Sequence, residues 1–374
     1  MNQAEEFLLR RLNERNTGNR LRKLQYSQAA IDFCSNDYLG FARSEELRFL
    51  IDEALHHIPA RTHGSTGSRL LSGNDAYTQS TEEHIAQFHQ AEAALLFNSG
   101  YDANIGLLSA VPQKGDTILC DELIHASLID GARLSHANRI RFKHNDLQAL
   151  ETKLQMASGL CYVVVESIYS MDGDAAPLQA ISALCRQYKA HLIVDEAHAV
   201  GIFGKHGAGL IQELGLEDQV FARIVTYGKA LGCHGAAVLG STHLRNYLIN
   251  FARSFIYTTA APLHQIAAIH CAYGLLSQQN LQASLHQKIA YYNTRIAESR
   301  FKRIKSNSCI QTVLLNSELE ARNAAKKLQE KGFDVRAILS PTVAPGSERL
   351  RICLHQYNSK AEINDLTVAL NNLT

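Results

Sequence analysis

The chain has 374 residues, of which 46% are hydrophobic, so it can form a large core and a smaller second domain. Its 37 lysines and arginines nearly balance 36 acidic residues, and the formal charge of +1 argues against nucleic acid or an anionic membrane as a partner. The eight cysteines are scattered without a Cys-x-x-Cys pair, which favours reduced thiols in the cytoplasm. The amino terminus lacks an apolar signal segment, and no run approaches the roughly 20 apolar residues of a membrane span, so we expect a soluble, unexported protein.

Residues 1–43 are predicted to form an amino-terminal helix and arm. Apolar residues such as Phe7 and Leu12 mark one face of a charged helix over residues 1 to about 24. Residues 33–40 then read as a short strand broken by a polar turn, in which Asn36 commonly caps backbone groups. Residues 64–74 form a loop of small residues that lacks the glycine and lysine order of a nucleoside-triphosphate loop.

From residue 93 onward, apolar strands alternate with helical segments. The candidate strands are 94–98, 117–120, 139–143, 160–166, 191–195, 223–226 and 236–240. Seven such runs predict a largely parallel, helix-covered sheet in a domain over residues 44–279. A polar helical stretch and strands near 311–315 and 349–354 predict a smaller α+β domain over residues 280–374.

Open α/β sheets bind ligands beyond the carboxyl ends of their strands, so the residues that follow each strand are the candidates for a site. Gly100 and Tyr101 follow the first strand where a helix begins, which suits either a bound phosphate or a simple capping turn. His125 follows the second strand and either stacks on a planar ring or is a structural histidine. Ser170 follows strand 160–166. It either contacts a ligand through a ring hydroxyl or a phosphate, or it is a loop residue without such a role.

The sharpest of these signals is Asp195, which ends the buried strand 191–195. A buried carboxylate needs a cationic or donor partner, and a protonated ring nitrogen would supply one. The run Asp195–His198 also has the sequence of the magnesium-binding motif of one helicase class, but no Walker loop precedes it. A metal site is a further alternative, although no second histidine or cysteine lies nearby at ligand spacing.

A lysine follows the next strand, 223–226. Lys229 is bracketed by Gly228 and Gly232, and Thr226 lies three residues before it. Such a lysine can reach an aldehyde cofactor and form a Schiff base, while the threonine hydroxyl meets the cofactor phosphate. A surface lysine in a turn is the alternative.

Five motifs occur in one order along the chain, namely Ser99–Tyr101, Asp121–Ser127, Ser170–Asp174, Asp195–His198 with Gly201, and Thr226–Ala230. Together they resemble the α-oxoamine synthase family of pyridoxal-phosphate enzymes over nearly the whole chain. The resemblance implies a fold type I transferase of the α/β class, with a mostly parallel seven-stranded sheet and a smaller carboxyl-terminal domain. It implies pyridoxal 5'-phosphate as the cofactor and no metal.

The resemblance also assigns roles to individual residues. Lys229 would form the Schiff base and then act as base and acid at the substrate Cα, while Asp195 would pair with the pyridine nitrogen. The remaining cofactor contacts would be His198 and Ser170 to the ring oxygen, His125 stacked on the ring, and Gly100, Tyr101, Thr226 and a neighbouring subunit's Thr259 at the phosphate. Arg351 would clamp the substrate carboxylate, with Asn36, Arg22 and Thr342 as further substrate contacts. Arg349 shares a strand face with Arg351, and the family pattern favours Arg351.

Within the family, residues 226–238 and Phe255–Thr259 are most similar to one branch. That branch condenses L-alanine with pimeloyl-CoA or a pimeloyl carrier protein in biotin biosynthesis. The resemblance therefore implies a cytoplasmic acyltransferase that is a homodimer with shared active sites. Glycine acetyltransfer to 2-amino-3-oxobutanoate and a binding protein without cofactor are the alternatives.

Overall fold

The computed structural model describes residues 2–18, 21–24, 31–58, 63–297 and 299–373. The strands are β1 (Ile31–Asp32), β2 (Ala93–Phe97), β3 (Thr117–Asp121), β4 (Asn138–Phe142), β5 (Cys161–Glu166), β6 (His191–Asp195), β7 (Ala222–Thr226), β8 (Ala236–Gly240), β9 (Ile310–Leu314), β10 (Phe333–Asp334), β11 (Arg336–Ile338) and β12 (Arg349–Cys353). The α-helices are α1 (Gln3–Thr17), α2 (Glu45–His57), α3 (Ala76–Phe88), α4 (Gly100–Ala110), α5 (Ala126–Leu134), α6 (Leu147–Gln155), α7 (Leu178–Gln187), α8 (Leu210–Glu213), α9 (Thr242–Phe251), α10 (Arg253–Ile256), α11 (Leu263–Gln278), α12 (Leu281–Arg295), α13 (Glu318–Glu330) and α14 (Lys360–Asn371).

Strands β2 to β8 form one seven-stranded sheet in the order β2-β8-β7-β6-β5-β3-β4. Every pairing is parallel except those of β8, which runs antiparallel to both of its neighbours. Every residue of β5 and β7 is buried, as a sheet covered by helices on both faces requires. The seven strands predicted from the sequence are confirmed to within one residue at each end. Because β3, β5, β6 and β7 run parallel, their carboxyl ends meet at one edge of the sheet.

A second, antiparallel sheet has the order β11-β12-β9. Its middle strand, β12, is fully buried and carries both Arg349 and Arg351. Strand β1 pairs in parallel with β10, so the amino-terminal arm is joined to the carboxyl-terminal part of the chain. The division at residues 43 and 279 stays a prediction.

Two predicted elements near the amino terminus are wrong in their bounds. The predicted helix over residues 1–24 ends at Thr17, where Gly18 turns its N–H back to the carbonyls of Asn16 and Glu14. Residues 1, 19 and 20 of that prediction lie outside the described part of the chain. The strand predicted at residues 33–40 is instead the two-residue β1, because the carboxylate of Asp32 accepts the N–H groups of the next turn.

Within the described ranges, no helix combines the length and the apolar character that crossing a membrane requires. The described cysteines are all free thiols, and most of them are buried.

Candidate active site

A cavity of about 260 Å³ lies at the carboxyl edge of the seven-stranded sheet. Nine residues proposed from the sequence are among those that line it. They are Asn36, Gly100, Tyr101, His125, Ser170, Asp195, His198, Thr226 and Lys229. The sheet topology therefore brings together residues that are as far apart in sequence as Asn36 and Lys229.

One corner of the cavity is formed by the start of α4 and the end of β7. Ser99 caps the helix by accepting the N–H of Asp102 at 3.1 Å. A Cβ atom on Gly100 would lie 2.6 Å from Cγ2 of Thr226, so only glycine allows this close approach. The buried hydroxyl of Thr226 has no hydrogen-bond partner among the described residues. A free hydroxyl beside a helix amino terminus fits an anion such as a phosphate.

The opposite corner is organised around Asp195, which is buried at the end of β6. Its two oxygens accept hydrogen bonds from Asn104 Nδ2 and from the N–H of Ala197, each at 2.9 Å. Asn104 Nδ2 also donates to the hydroxyl of Ser127 at 2.9 Å, and this hydroxyl lies 2.7 Å from Nδ1 of His125. The N–H of Ser127 donates to the same Nδ1, so neutral His125 carries its proton on Nε2.

A second carboxylate, Glu166, lies beside Asp195 because the two residues are paired in the register of β5 and β6. One oxygen of Glu166 accepts the N–H of Ser170 at 3.2 Å, and the other has no partner among the described residues. Burial, reinforced by the charge of Asp195, raises the pKa of Glu166 to about 8. Glu166 is therefore mostly protonated at neutral pH.

Lys229 borders the cavity, with Nζ 2.8 Å from Nε2 of His198. Burial lowers the pKa of Lys229 to about 8, against the attraction of Asp195 and Glu166. His198 is buried, and burial together with the Lys229 and Arg351 charges holds its pKa well below the ordinary value. The site thus holds a neutral imidazole and an amine that loses its proton easily.

The two arginines of β12 have different partners. Arg351 donates from Nη2 to Asn36 Oδ1 at 2.9 Å and from Nε to the carbonyl of Ser170 at 2.8 Å, so it lies directly behind two cavity residues. Arg349 instead forms an ion pair with Asp172. Arg351 is accordingly the better placed of the two for a carboxylate in the cavity.

Four residues proposed from the sequence do not line this cavity, and one of them, Arg351, lies behind it as described above. Thr259 is exposed, and its carbonyl accepts a hydrogen bond from Asn98 Nδ2 at 2.8 Å. Arg22 and Thr342 are exposed as well. Their roles stay predictions.

The metal and helicase alternatives concern the run Asp195–His198. Glu196 turns away from the cavity and pairs with Arg223 at 2.8 Å, while Asp195 and His198 have the cavity contacts described above. The three side chains of the run therefore do not converge on one point. Among the residues described, no group of three or more His, Cys, Asp or Glu side chains is arranged to hold a metal ion.

Sequence reasoning missed Asn104, Glu166, Ser127 and Tyr38 as parts of the site. Asn104 lies one helical turn after Gly100 and so shares its helix face, which is a signal that the sequence contains. Glu166 ends the strand next to the one that Asp195 ends, which is a second such signal. Tyr38, whose hydroxyl lies 2.8 Å from Nδ1 of His198, has no local signal of this kind.

Comparison with known proteins agrees with this geometry. The sequence matches the aminotransferase class I and II family over residues 28–369. It is 43% identical over 363 residues to an 8-amino-7-oxononanoate synthase of Emericella nidulans, covering 90% of this chain and 88% of that one. It is 38% identical over 346 residues to the enzyme of that name from Marinobacter nauticus, covering 92% and 87%.

Solved structures give the same result for the fold. An 8-amino-7-oxononanoate synthase of Francisella tularensis superimposes with a TM-score of 0.79 at 29% identity, covering 92% of this chain and 98% of that one. A serine palmitoyltransferase of Sphingomonas wittichii superimposes with a TM-score of 0.88 at 27% identity, covering 98% and 96%. The family match covers far more than half of the chain, so this protein belongs to the aminotransferase class I and II family, whose pyridoxal-phosphate fold type I architecture the sequence predicted.

Proposed function

We propose that the chain catalyses the decarboxylative condensation of L-alanine with pimeloyl-CoA or a pimeloyl carrier protein. The products are 8-amino-7-oxononanoate, CO2 and the free thiol, and the reaction belongs to biotin biosynthesis. The observation that carries this proposal is one cavity in which Lys229, Asp195 and the unpartnered hydroxyl of Thr226 face one another. The relatives named 8-amino-7-oxononanoate synthase, at up to 43% identity, support the choice of substrates.

The cavity fits pyridoxal 5'-phosphate by its donor set. Thr226 and the start of α4 would hold the phosphate, and Asp195 would accept a hydrogen bond from the ring nitrogen and keep a proton there. His125 would cover one face of the ring, and Ser170 and His198 would bind the ring oxygen. When bound, this cofactor supplies an aldehyde that joins the substrate amine and a ring that withdraws electrons from Cα.

Lys229 would move the proton at the substrate Cα. With a pKa of about 8, roughly a tenth of its amine is neutral at pH 7, against well under 0.1% for an ordinary lysine. A neutral amine can take a proton from Cα, and the ammonium group so formed can return it later, whereas a lysine that is already protonated cannot take it. The lowered pKa therefore suits Lys229 to both steps.

Arg351 and Asn36 would bind the carboxylate of the amino acid. Arg351 is buried and held by three hydrogen bonds, so its guanidinium group is oriented before the substrate arrives. A carboxylate held at this point would place Cα between Arg351 and Lys229. The amino acid is thereby fixed for loss of the proton on the side of the lysine.

The proposal includes a cytoplasmic homodimer in which the partner's segment Tyr257–Pro262 completes each site. Thr259 is exposed and does not line the cavity of its own chain, as a contact made to a neighbouring subunit requires. Mixing Lys229→Ala and Thr259→Val proteins under subunit exchange tests this assembly. Shared sites would give activity above that of either parent, because one site of each heterodimer carries neither change. No gain after exchange, verified by mass, would place each site within one chain.

The reaction is tested by incubating the purified chain with alanine or glycine and a panel of acyl thioesters, and then identifying the products by their molecular mass. We expect 8-amino-7-oxononanoate from alanine and a pimeloyl thioester. A product from glycine and acetyl-CoA alone would support the 2-amino-3-oxobutanoate alternative. Absence of the absorbance band of a lysine-bound cofactor would support a cofactor-free binding protein.

A further inference from the structure

A chain of hydrogen bonds leads from Lys229 to the arginine behind the cavity. Lys229 Nζ lies 2.8 Å from His198 Nε2, and His198 Nδ1 lies 2.8 Å from the hydroxyl of Tyr38. That hydroxyl lies 3.1 Å from Oδ1 of Asn36, which in turn accepts Nη2 of Arg351 at 2.9 Å. Tyr38 and His198 are buried, so these contacts replace water for both side chains.

The hydrogen atoms of this chain of hydrogen bonds can be placed in two ways that pair both ring nitrogens of His198. In the first, charged Lys229 donates to Nε2, Nδ1–H donates to the Tyr38 oxygen, and the Tyr38 hydrogen is donated to Asn36. In the second, the Tyr38 hydrogen is donated to Nδ1, and Nε2–H points towards a neutral Lys229. Arg351 keeps the Asn36 oxygen paired in both arrangements. Neither arrangement leaves a buried imidazole nitrogen without a partner.

We propose that Tyr38 is a positioning residue that lets His198 change tautomer with the charge of Lys229, by turning its one hydroxyl hydrogen between Asn36 and His198. His198 then presents a lone pair to the charged amine and an N–H to the neutral one. The inference deepens the proposed function and rests on it only in taking Lys229 as the reacting amine. A phenylalanine would fill the same space but would leave Nδ1 unpaired.

The expected consequence concerns the proton on Lys229. Without the Tyr38 hydroxyl, a buried Nδ1–H would have no acceptor, so His198 keeps its hydrogen on Nε2. The positive end of this N–H then faces Nζ of Lys229 and disfavours the charged form of the amine. The pKa of Lys229 should therefore fall further. The other titratable or charged groups that act on Lys229 are Asp195, Glu166, His125 and Arg351.

The test uses the full-length chain freed of cofactor and measures the carbamylation of Lys229 by cyanate, which reacts only with a neutral amine. Peptide mass spectrometry across pH 6 to 10 gives the midpoint. We expect Tyr38→Phe to lower this midpoint by about one pH unit relative to the wild type. Tyr292→Phe is the matched control, because Tyr292 is also fully buried but its hydroxyl has no partner among the described residues. Its midpoint should not move.

Two further measurements keep the test decisive. Glu166 titrates in the same pH range, so the shift must persist when Tyr38→Phe is made in a Glu166→Gln background. In the wild type, 15N-histidine spectra, assigned with His198→Gln, should show the His198 hydrogen moving from Nδ1 to Nε2 as Lys229 loses its proton. This second experiment needs no variant of Tyr38 to fold.

An unchanged midpoint in Tyr38→Phe, or a His198 tautomer that is constant with pH, overturns the proposal. Neither measurement uses substrate or cofactor. Failure of the tautomer proposal can therefore be distinguished from failure of the proposed condensation, which is judged by its product.

Discussion

Two histidines at the same edge of the sheet have opposite protonation states. His198 lies beside Lys229 and is held neutral, because burial and nearby positive charge keep its pKa well below the ordinary value. His144 lies between two carboxylates, 2.9 Å from Asp121 and 2.8 Å from Asp174. Burial opposes charge on His144 too, but the hydrogen bonds and attraction of the two carboxylates outweigh it and raise its pKa to about 9.

The difference teaches that carboxylate partners can outweigh burial in deciding which state the imidazole takes. We call His144, Asp121 and Asp174 the clamp. Asp121 ends β3 just before the turn that carries His125, and Asp174 lies in the turn that follows Ser170, so the clamp joins two walls of the cavity. Charge in the clamp fixes structure, whereas His198 in the cavity is held neutral beside an amine that loses its proton easily.

The largest expected effect comes from removing the amine of the cavity. Lys229→Ala should lower turnover by about 10⁴-fold or more, because no other group in the cavity can both bind an aldehyde and move the Cα proton. Product mass measures turnover, and thermal unfolding checks that the clamp and the fold persist. Lys288→Ala is the control, since this half-buried lysine bonds the carbonyl of Gln356 outside the cavity. Turnover near the wild-type rate in Lys229→Ala would remove the lysine from the mechanism.

A smaller effect is expected from neutralising one carboxylate of each region. Asp195→Asn should slow exchange of the alanine α-proton by roughly 10² to 10³-fold, because an amide does not hold a proton on the ring nitrogen. Asp121→Asn, in the clamp, should lower the melting temperature and slow exchange far less. Deuterium incorporation into alanine measures the rate. Equal losses in the two variants would contradict the separation of roles.

The clamp itself should show its charge in the pH dependence of stability. The folded pKa of His144, about 9, lies above its unfolded value of about 6.5, so its contribution is complete below pH 6.5 and is lost as pH rises through 9. His144→Gln should therefore cost about 2 kcal/mol of unfolding free energy at pH 6 and little at pH 10. Urea unfolding at both pH values measures this, with the exposed His136→Gln as control. A loss that is independent of pH would mean that the clamp is uncharged.

The smallest effect is expected at Glu166. Its folded pKa of about 8 lies above the ordinary carboxyl value. As pH rises from that ordinary value towards 8, Glu166 ionises in the unfolded chain but stays protonated in the folded one, so the wild type loses stability. Glu166→Gln imitates the protonated acid, so turnover at pH 7 should stay within about threefold of the wild type. The melting temperature of the variant, relative to that of the wild type, should rise from pH 5 to pH 9. A large loss of turnover at pH 7 would instead indicate that the carboxylate form is needed.

Much of the sheet could be predicted because its signals are local. Each strand is a short apolar run between turn residues, and the predicted bounds agree with the structure to within one residue. Lys229 and Asp195 could be proposed because each follows such a strand. By contrast, β10 and β11 have only two or three residues and no apolar run, so they were not predicted, and the two-residue β1 was predicted with the wrong bounds.

The clamp could not be predicted, since nothing near His144 marks it as charged. Its partners are 23 and 30 residues away in sequence, on two other segments. The partners of Glu196 and Arg351 are also distant, since Arg223 is 27 residues and Asn36 is 315 residues away in sequence. In each case the identity of the partner depends on which segments become neighbours in the fold.

The sequence alone determined the strand pattern, the family and the residue types that can carry the chemistry, because these depend on apolar periodicity and on motifs of a few residues. Only the tertiary structure decided which of these side chains are charged. Protonation depends on burial and on partners within a few ångströms, and both are set by packing between segments distant in sequence. His144 and His198 have the same side chain, and their different surroundings alone give one a pKa of about 9 and hold the other far below its usual value.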